Sequence, residues 1–367
     1  MHAFQELHMM ELSPGIRLWQ PSVDVLHDPQ IEPQTPGCDQ VLLGLPLGEC
    51  GGVRMANKVI GILSLRGNVY GNHEPTHGAD ATQQFIRQGA RFDLSPEEIA
   101  AQSPHATYVI SAHGAAPSII ARAEAAGLSK YNVTCPLVDR THNVITKAAE
   151  DPNNVVAYLS FGKRDHPEII ASAGLAEDLK IPFHIVSNTE DVDTMLAAMD
   201  GRDSIVVVGQ TTNNSDDSQK LAGEIDAKAT AQGLTVARTN AKDVCHTVRD
   251  RQTATREIIA QGVGTLVVVG SVNSKNTMSL AKVAAQEAAA QKHVVELYLV
   301  NSWRQLPMIL GRVGVVSGAS TLDQNVHGVV TRLNPEMPVK EVGEDTDGTI
   351  IFKPIDKKTR EVMDGQI

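Results

Sequence analysis

Short runs of β-branched residues, each ending in a small polar loop and followed by an Ala-rich helical pattern, recur along the whole 367-residue chain. Parallel strands cannot be joined by tight turns and need a crossover of about a dozen residues or more, usually a helix. The alternation therefore predicts an α/β fold with mostly parallel sheets, and it repeats three times. In the first third, Gly61-Ile62-Leu63-Ser64-Leu65 reads as a strand leading towards His73 and His77, while Thr107-Tyr108-Val109-Ile110 ends in Ser111-Ala112-His113-Gly114. In the second, Val155-Val156-Ala157-Tyr158-Leu159 precedes Asp165-His166-Pro167-Glu168, and Ile205-Val206-Val207-Val208 ends in Gly209-Gln210-Thr211-Thr212. In the third, Leu266-Val267-Val268-Val269 ends in Gly270-Ser271-Val272-Asn273-Ser274, and Val313-Gly314-Val315-Val316 ends in Ser317-Gly318-Ala319-Ser320.

Parallel sheets bind ligands beyond the carboxyl ends of their strands. Strand ending and helix capping alone account for any single loop of Gly, Ser, Asn and Thr. Recurrence at equivalent points in each third predicts loops that face one central pocket. A cysteine joins them in every third: Cys50, Cys135 and Cys245, each where a β-type segment gives way to a polar turn and a helix. Taken singly, such a cysteine is more often a small core residue than a ligand. The three stand too far apart in sequence for a local CxxC knuckle, and zinc more often draws closely spaced Cys/His pairs. With four cysteines in all, a disulfide framework is not expected. Three thiolates from three loops fit an iron–sulfur cluster with one iron left open. Cys38, ahead of the first strand-like run Val41-Leu42-Leu43, is expected to be an unliganded thiol.

A chain of this length with 42% hydrophobic content can bury two or three cores. We expect an N-terminal extension over residues 1–40, a first α/β lobe with Cys50 over 41–134, a second with Cys135 over 135–243 and a third with Cys245 over 244–332. A tail over 333–367 begins where Asn334-Pro335-Glu336-Met337-Pro338 breaks the helix, and it holds one short strand candidate, Thr349-Ile350-Ile351-Phe352. The formal net charge of -11, with no basic run, argues against a nucleic-acid partner. No apolar stretch reaches the ~20 residues of a membrane span. The opening segment, with Glu6 and Glu11 and no apolar core, does not read as a secretory leader, so a reducing cytoplasm is the expected compartment.

Nine motifs stand in order along the chain. They are Gly48-Glu49-Cys50-Gly51-Gly52-Val53; Val69-Tyr70 with His73-Glu74 and His77; Ser111-Ala112-His113-Gly114; and Thr134-Cys135-Pro136-Leu137-Val138 followed by His142. His166-Pro167-Glu168, Gln210-Thr211-Thr212, Cys245 with Arg251-Gln252, Gly270-Ser271 with Asn273-Ser274 and Asn276, and Ser317-Gly318-Ala319-Ser320 complete the series. Together, over about residues 41–332, the chain resembles the 4-hydroxy-3-methylbut-2-enyl diphosphate reductase (IspH/LytB) family. It departs from that pattern at Glu49, where an aromatic is usual, and at Lys275, where a second serine is usual. The run His246-Thr247-Val248-Arg249-Asp250 replaces an aromatic-bearing segment, and the usual Gly-Thr after His166-Pro167-Glu168 is missing.

The resemblance implies three lobes arranged as a trefoil around a central 4Fe-4S cluster, held by Cys50, Cys135 and Cys245 with the fourth iron open. It implies removal of an allylic hydroxyl with two electrons and protons, giving isopentenyl and dimethylallyl diphosphate plus water. Glu168 is then the proton source and Thr211 its relay partner. His73, His113, His166, Ser274, Asn276 and Ser320 form the diphosphate pocket, and Lys275, lying between two of them, is expected to reach the same anion. Imidazole, hydroxyl and amide donors, backed by backbone N–H groups at helix starts, satisfy such a polyanion without a metal. The chain carries no GxGxxG after its first strand and no flavin or nicotinamide fingerprint, so an external ferredoxin or flavodoxin is the implied electron donor. The departures leave two further readings open: a paralogue reducing a different allylic or anionic substrate, and a non-catalytic cluster-binding sensor. Retention of Glu168 and Thr211 speaks against the sensor, which needs no proton relay.

Overall fold

The computed structural model describes residues 7–13, 16–21, 31–75, 79–92, 94–162, 164–238, 244–345 and 356–366; His77 and the strand candidate at 349–352 lie outside them. The chain opens with β1 (Leu7–Ser13) and β2 (Ile16–Pro21), then β3 (Gln40–Gly44), α1 (Gly51–Ser64), β4 (Val69–Gly71), α2 (Ala79–Arg87) and α3 (Pro96–Gln102). Strict alternation follows: β5 (Thr107–Ile110), α4 (Pro117–Ala125), β6 (Ser129–Asn132), α5 (Pro136–Ala148), β7 (Asn154–Leu159), α6 (Pro167–Asp178), β8 (Phe183–Val186), α7 (Thr189–Ala197), β9 (Ser204–Gly209), α8 (Ser215–Ala231) and β10 (Thr235–Arg238). The last third contains α9 (His246–Ala260), β11 (Thr265–Val269), α10 (Lys275–Ala290), β12 (Glu296–Val300), β13 (Arg312–Ser317), α11 (Asp323–Leu333), β14 (Lys340–Val342) and α12 (Lys357–Met363). Helices α3, α4, α5 and α6 each begin at a proline, whose fixed φ suits the first turn and whose missing N–H is not needed there.

One expected strand is a helix. Gly61-Ile62-Leu63-Ser64-Leu65 forms the end of α1 and its exit, because Met55, Ala56, Val59, Ile60 and Leu63 are all buried at three- and four-residue spacing. The apolar run is one face of a helix, and the strand is the short β4 beyond it.

The described residues divide between two compact units, the first within Met1–Val53, Thr76–Gln84 and Thr247–Ile351, the second within Arg54–Pro75, Phe85–His246 and Phe352–Ile367. In the first unit the sheet order is β1-β2-β12-β11-β13-β3-β14, parallel throughout except for the antiparallel β1–β2 pair. Strand β11 is buried on both faces, as a central parallel strand must be. Leu266 and Val268 pack with Ile258, Leu280, Leu297 and Leu299, whereas Val267 and Val269 pack with Trp303, Leu306, Val326 and Val329. Residues 41–134 supply strands to two sheets: β3, which precedes Cys50, pairs with β13 of the last third, while β4, β5 and β6 form a sheet of their own.

The second unit holds that three-stranded sheet and a second, ordered β10-β9-β7-β8, both fully parallel. Along β7, Val155, Ala157 and Leu159 enter one core with Val192, Met195 and Ile225, and Val156 and Tyr158 enter the other with Ile145, Ile169 and Leu175. The loops after β5, β7, β9, β11 and β13 therefore leave from the carboxyl ends of parallel strands.

Arg251, on α9, is the largest fully buried side chain among the described residues. Its Nη1 donates to Pro46 O at 2.9 Å and to Ser317 O and Oγ, each at 3.2 Å. It thus ties the loop ahead of Cys50 to the end of β13. Arg251→Met keeps the volume and removes the donors, leaving buried carbonyls unsatisfied, so we expect a loss of about 3 kcal/mol in denaturant unfolding. A loss below about 1 kcal/mol would show that the guanidinium is not what joins these loops.

Candidate functional site

The three motif cysteines share one local frame. Cys50 immediately precedes α1, Cys135 is the N-cap of α5 and Cys245 immediately precedes α9. In each case the cysteine's own N–H donates to a carbonyl in a strand-end loop: Cys50 to Ala319 at 2.8 Å, Cys135 to Ala112 at 3.0 Å and Cys245 to Thr211 at 2.9 Å. All three are half-buried and none is in a disulfide. A negative sulfur at a helix start faces the positive end of the helix dipole. Cys38 differs. It is wholly buried in the core, and burial pushes its thiol up to about 11. Among the described residues no three His, Cys, Asp or Glu side chains are placed to chelate a single metal ion.

In the second unit the loops are stitched together residue by residue. Asn72, just after β4, donates from Nδ2 to Gly114 O at 2.8 Å and accepts at Oδ1 from Ser111 N at 2.7 Å, joining the His73 loop to the loop after β5. That loop carries His113, whose ring meets His166 edge-on with centroids 5.4 Å apart. His166 is the N-cap of α6, and its Nδ1 accepts from Glu168 N at 3.2 Å. A neutral ring accepting there carries its proton on Nε2. His142, two turns into α5, lies against Gly114, where an added Cβ would stand 2.8 Å from His142 Cε1. With φ at +82° as well, position 114 takes only glycine without strain.

Glu168 is 1% exposed. Its Oε1 accepts from Thr211 N at 2.8 Å and its Oε2 from Thr211 Oγ1 at 3.0 Å, while the Tyr158 hydroxyl lies 3.5 Å from Oε1. Stripping water from a carboxylate costs several kcal/mol; both donors of Thr211 and the first turn of α6 offset that cost. Burial, and then the neighbouring Glu168 charge, push the Tyr158 phenol well above its ordinary value, so Tyr158 remains a hydroxyl. The carbonyl of Thr211 receives the Cys245 N–H. Glu168, Thr211 and Cys245 are thus consecutive in one hydrogen-bonded chain.

In the first unit, β11 and β13 pair so that Val269 stands opposite Ser317, and their polar loops leave side by side. Ser274 caps α10, accepting from Thr277 N at 3.4 Å, and Lys275, half-buried, is the first helical residue. Asn276 is 3% exposed, yet among the described residues neither Nδ2 nor Oδ1 of its amide has a hydrogen-bond partner. Such a group is destabilising unless something else satisfies it. Ser320 bridges to Glu49 through the backbone, and Gly48 N donates to Ser317 Oγ at 2.8 Å, so the Cys50 loop and the loop after β13 are laced together.

The expected site residues thus fall into two groups. One comprises His73, His113, His166, Glu168, Thr211, Cys135 and Cys245; the other comprises Cys50, Ser274, Lys275, Asn276 and Ser320. Sequence reading did not assign roles to Asn72, Tyr158 or His142. His142 stood in a quoted motif, and Asn72 is a polar residue at a strand end beside His73. Tyr158 is one of a wholly apolar-looking run and gave no signal.

Buried parallel sheets whose carboxyl-edge loops present helix-initiating cysteines, a buried carboxyl group and an unsatisfied amide define an α/β protein with its chemistry in the strand-end loops. Residues 41–334 match the LytB protein family, and the chain belongs to that family. A 4-hydroxy-3-methylbut-2-enyl diphosphate reductase of Methylibium petroleiphilum is 31% identical over 303 residues, covering 81% of this chain and 85% of the relative. Reductase 2 of the same name from Burkholderia mallei is 29% identical over 300 residues, covering 80% and 85%. The solved structure of the E-1-hydroxy-2-methyl-but-2-enyl-4-diphosphate reductase from Plasmodium falciparum superposes with a TM-score of 0.72 at 23% identity, covering 90% of this chain and 99% of that one, so the fold is shared. Membership of the family implies an iron–sulfur cluster. Thiols outside any disulfide, placed at helix starts, have the donor chemistry that such a cluster needs. No helix among the described residues is long and apolar enough to cross a membrane.

Burial lowers the pKa of both His73 and His142, the latter partly opposed by Asp139. The unfolded chain takes up these protons near 6.5 and the folded chain only at lower pH. Folding stability from these groups is therefore complete above about 6.5 and declines as pH falls below it. We expect His142→Gln to flatten the acid side of a melting-temperature profile; an unchanged slope would show that His142 does not contribute.

Proposed function

We propose that the chain is an iron–sulfur reductase converting 4-hydroxy-3-methylbut-2-enyl diphosphate to isopentenyl and dimethylallyl diphosphate by reductive dehydroxylation. The observation that carries this reading is the buried Glu168 carboxyl, held by both donors of Thr211 and joined through that residue's carbonyl to Cys245. The names of relatives matching about four-fifths of the chain support it. Cys50, Cys135 and Cys245 would hold a 4Fe-4S cluster. When bound, that cluster supplies electrons and Lewis acidity to an allylic C–O bond.

The chain's own residues do the rest. Cleavage takes up two electrons and two protons, one of which converts the departing hydroxyl to water; Glu168 delivers that proton. Thr211 Oγ1 keeps the carboxyl turned towards the Cys245 loop and relays the proton onward. His73, His113, His166, Ser274, Asn276 and Ser320 bind the diphosphate, and Lys275 adds a point charge against the chain's -11 background. An arriving diphosphate favours the charged form of His73, which burial otherwise disfavours. The buried Nδ2 of Asn276 donates to the same anion. Electrons come from a separate ferredoxin or flavodoxin.

The test is growth of a bacterium lacking its own reductase, rescued by this chain. Glu168→Gln keeps the shape and loses the proton, so the purified variant should retain the cluster spectrum while turnover falls by at least ~100-fold; turnover within a few-fold of wild type would remove Glu168 from this role. Cys50→Ser, Cys135→Ser and Cys245→Ser should each abolish cluster assembly in anaerobic iron and sulfide analysis, and Cys38→Ser should not. A cluster that forms normally without any one of the three would overturn the ligand set.

A further inference from the structure

The family match ends at residue 334, and α12 lies beyond it. A helix of seven residues does not hold together alone in water, so its docking orders it. It docks on β6, the edge strand of the three-stranded sheet. Edge strands present backbone groups with no strand partner. Here the N–H of Asn132, the last residue of β6, meets Thr359 Oγ1 at 2.8 Å and Asp356 Oδ2 at 3.1 Å. Asp356 is the cap of α12 and accepts from Thr359 N at 2.8 Å and Thr359 Oγ1 at 2.7 Å. Lys358 seats the helix further along the strand, donating to Ser129 Oγ at 2.8 Å and lying 4.2 Å above the Tyr131 ring. Thr359 and Val362 are wholly buried.

The side chain of Asn132 faces the other way along the chain. Its Oδ1 accepts from Thr134 N at 2.9 Å and from Thr134 Oγ1 at 2.6 Å, and Thr134 immediately precedes Cys135. The residue gripped by the C-terminal helix is therefore the one that shapes the turn into this cysteine. We propose that α12 is a latch on the Cys135 loop, with Asp356, Thr359 and Asn132 as positioning residues that hold Cys135 at the start of α5. The purpose assigned to the latch rests on the reading of Cys135 as a cluster ligand; the latch itself is a property of the metal-free chain and is measured there.

The experiment alkylates full-length, metal-free protein with iodoacetamide and maps the rate at each cysteine by mass spectrometry. Thr359→Val and Asp356→Ala should each raise the rate at Cys135 by about tenfold or more, as local opening becomes easier without these hydrogen bonds, while Cys50 and Cys245 stay within about twofold. Thr359→Ser keeps the hydroxyl and should retain wild-type protection. In the reconstituted protein the same two damaging variants should lose iron faster to a chelator. A Cys135 rate unchanged in both damaging variants, or Thr359→Ser as reactive as Thr359→Val, would overturn the proposal. So would equal acceleration at core-buried Cys38, which would show that the helix stabilises the whole unit. Failure of growth rescue alongside a selective Cys135 response would reject the reductase reading and leave the latch standing.

Discussion

A hydrogen bond from a cysteine's own N–H to the carbonyl of a neighbouring strand-end loop occurs three times, and the candidate site depends on it. The acceptors are Ala112, Ala319 and Thr211. Ala112 precedes His113, Ala319 precedes Ser320, and Thr211 itself grips Glu168. Each cysteine is thus fixed to a residue that carries, or adjoins, a side chain expected to bind substrate or handle a proton. Loops are ordinarily the most variable parts of an α/β protein. Here each cysteine loop cannot shift without dragging its polar neighbour with it. The coupling uses main-chain atoms, so it survives changes of side chain at the acceptor positions.

Glu168 shows how the second unit handles a carboxyl group away from water. The carboxyl is 1% exposed, and the amide and hydroxyl of Thr211 take the place of the water it has lost, with the Tyr158 hydroxyl 3.5 Å from its Oε1. In the first unit the Asn276 amide is buried without a partner, a cost the fold retains where a polar ligand would remove it. The two units therefore differ: a buried carboxyl group with its hydrogen bonds made in one, and unused hydrogen-bonding capacity in the other.

Most central strands were legible because a parallel strand buried on both faces is a run of β-branched residues bounded by small polar ones. Residues 107–110, 155–159, 205–208, 266–269 and 313–316 all read correctly. The run at 61–65 misled because a short apolar segment looks the same at the end of an amphipathic helix. The pairing of β3 with β13 was not legible, since a contact across some 270 residues leaves no local periodicity. Of the candidate site, the sequence offered the cysteine, histidine and glutamate motifs by their order along the chain, which marks the loops but not their roles. The acceptors of the cysteine N–H groups, the stitching by Asn72 and the hydroxyl of Tyr158 beside Glu168 were not legible, because each depends on which loops the fold brings together.

The departures at Glu49 and Lys275 fall in segments that main-chain hydrogen bonds help to hold. Around Glu49 the loop is held by Gly48 N on Ser317 Oγ and by Glu49 N on Asp323 Oδ1 at 3.3 Å. Gly48 has φ at +69° and passes so close to Asp323 that a Cβ there would collide with the carboxylate. The tight fit belongs to position 48. Lys275 likewise occupies the first position of α10, where Ser274 supplies the cap and Asn276 turns inward. Each departure brings a charge: a negative group beside the first cysteine and a positive one beside the Asn276 amide. A scaffold fixed by main-chain hydrogen bonds lets the electrostatics of its site change while the geometry of its cysteine loops stays in place.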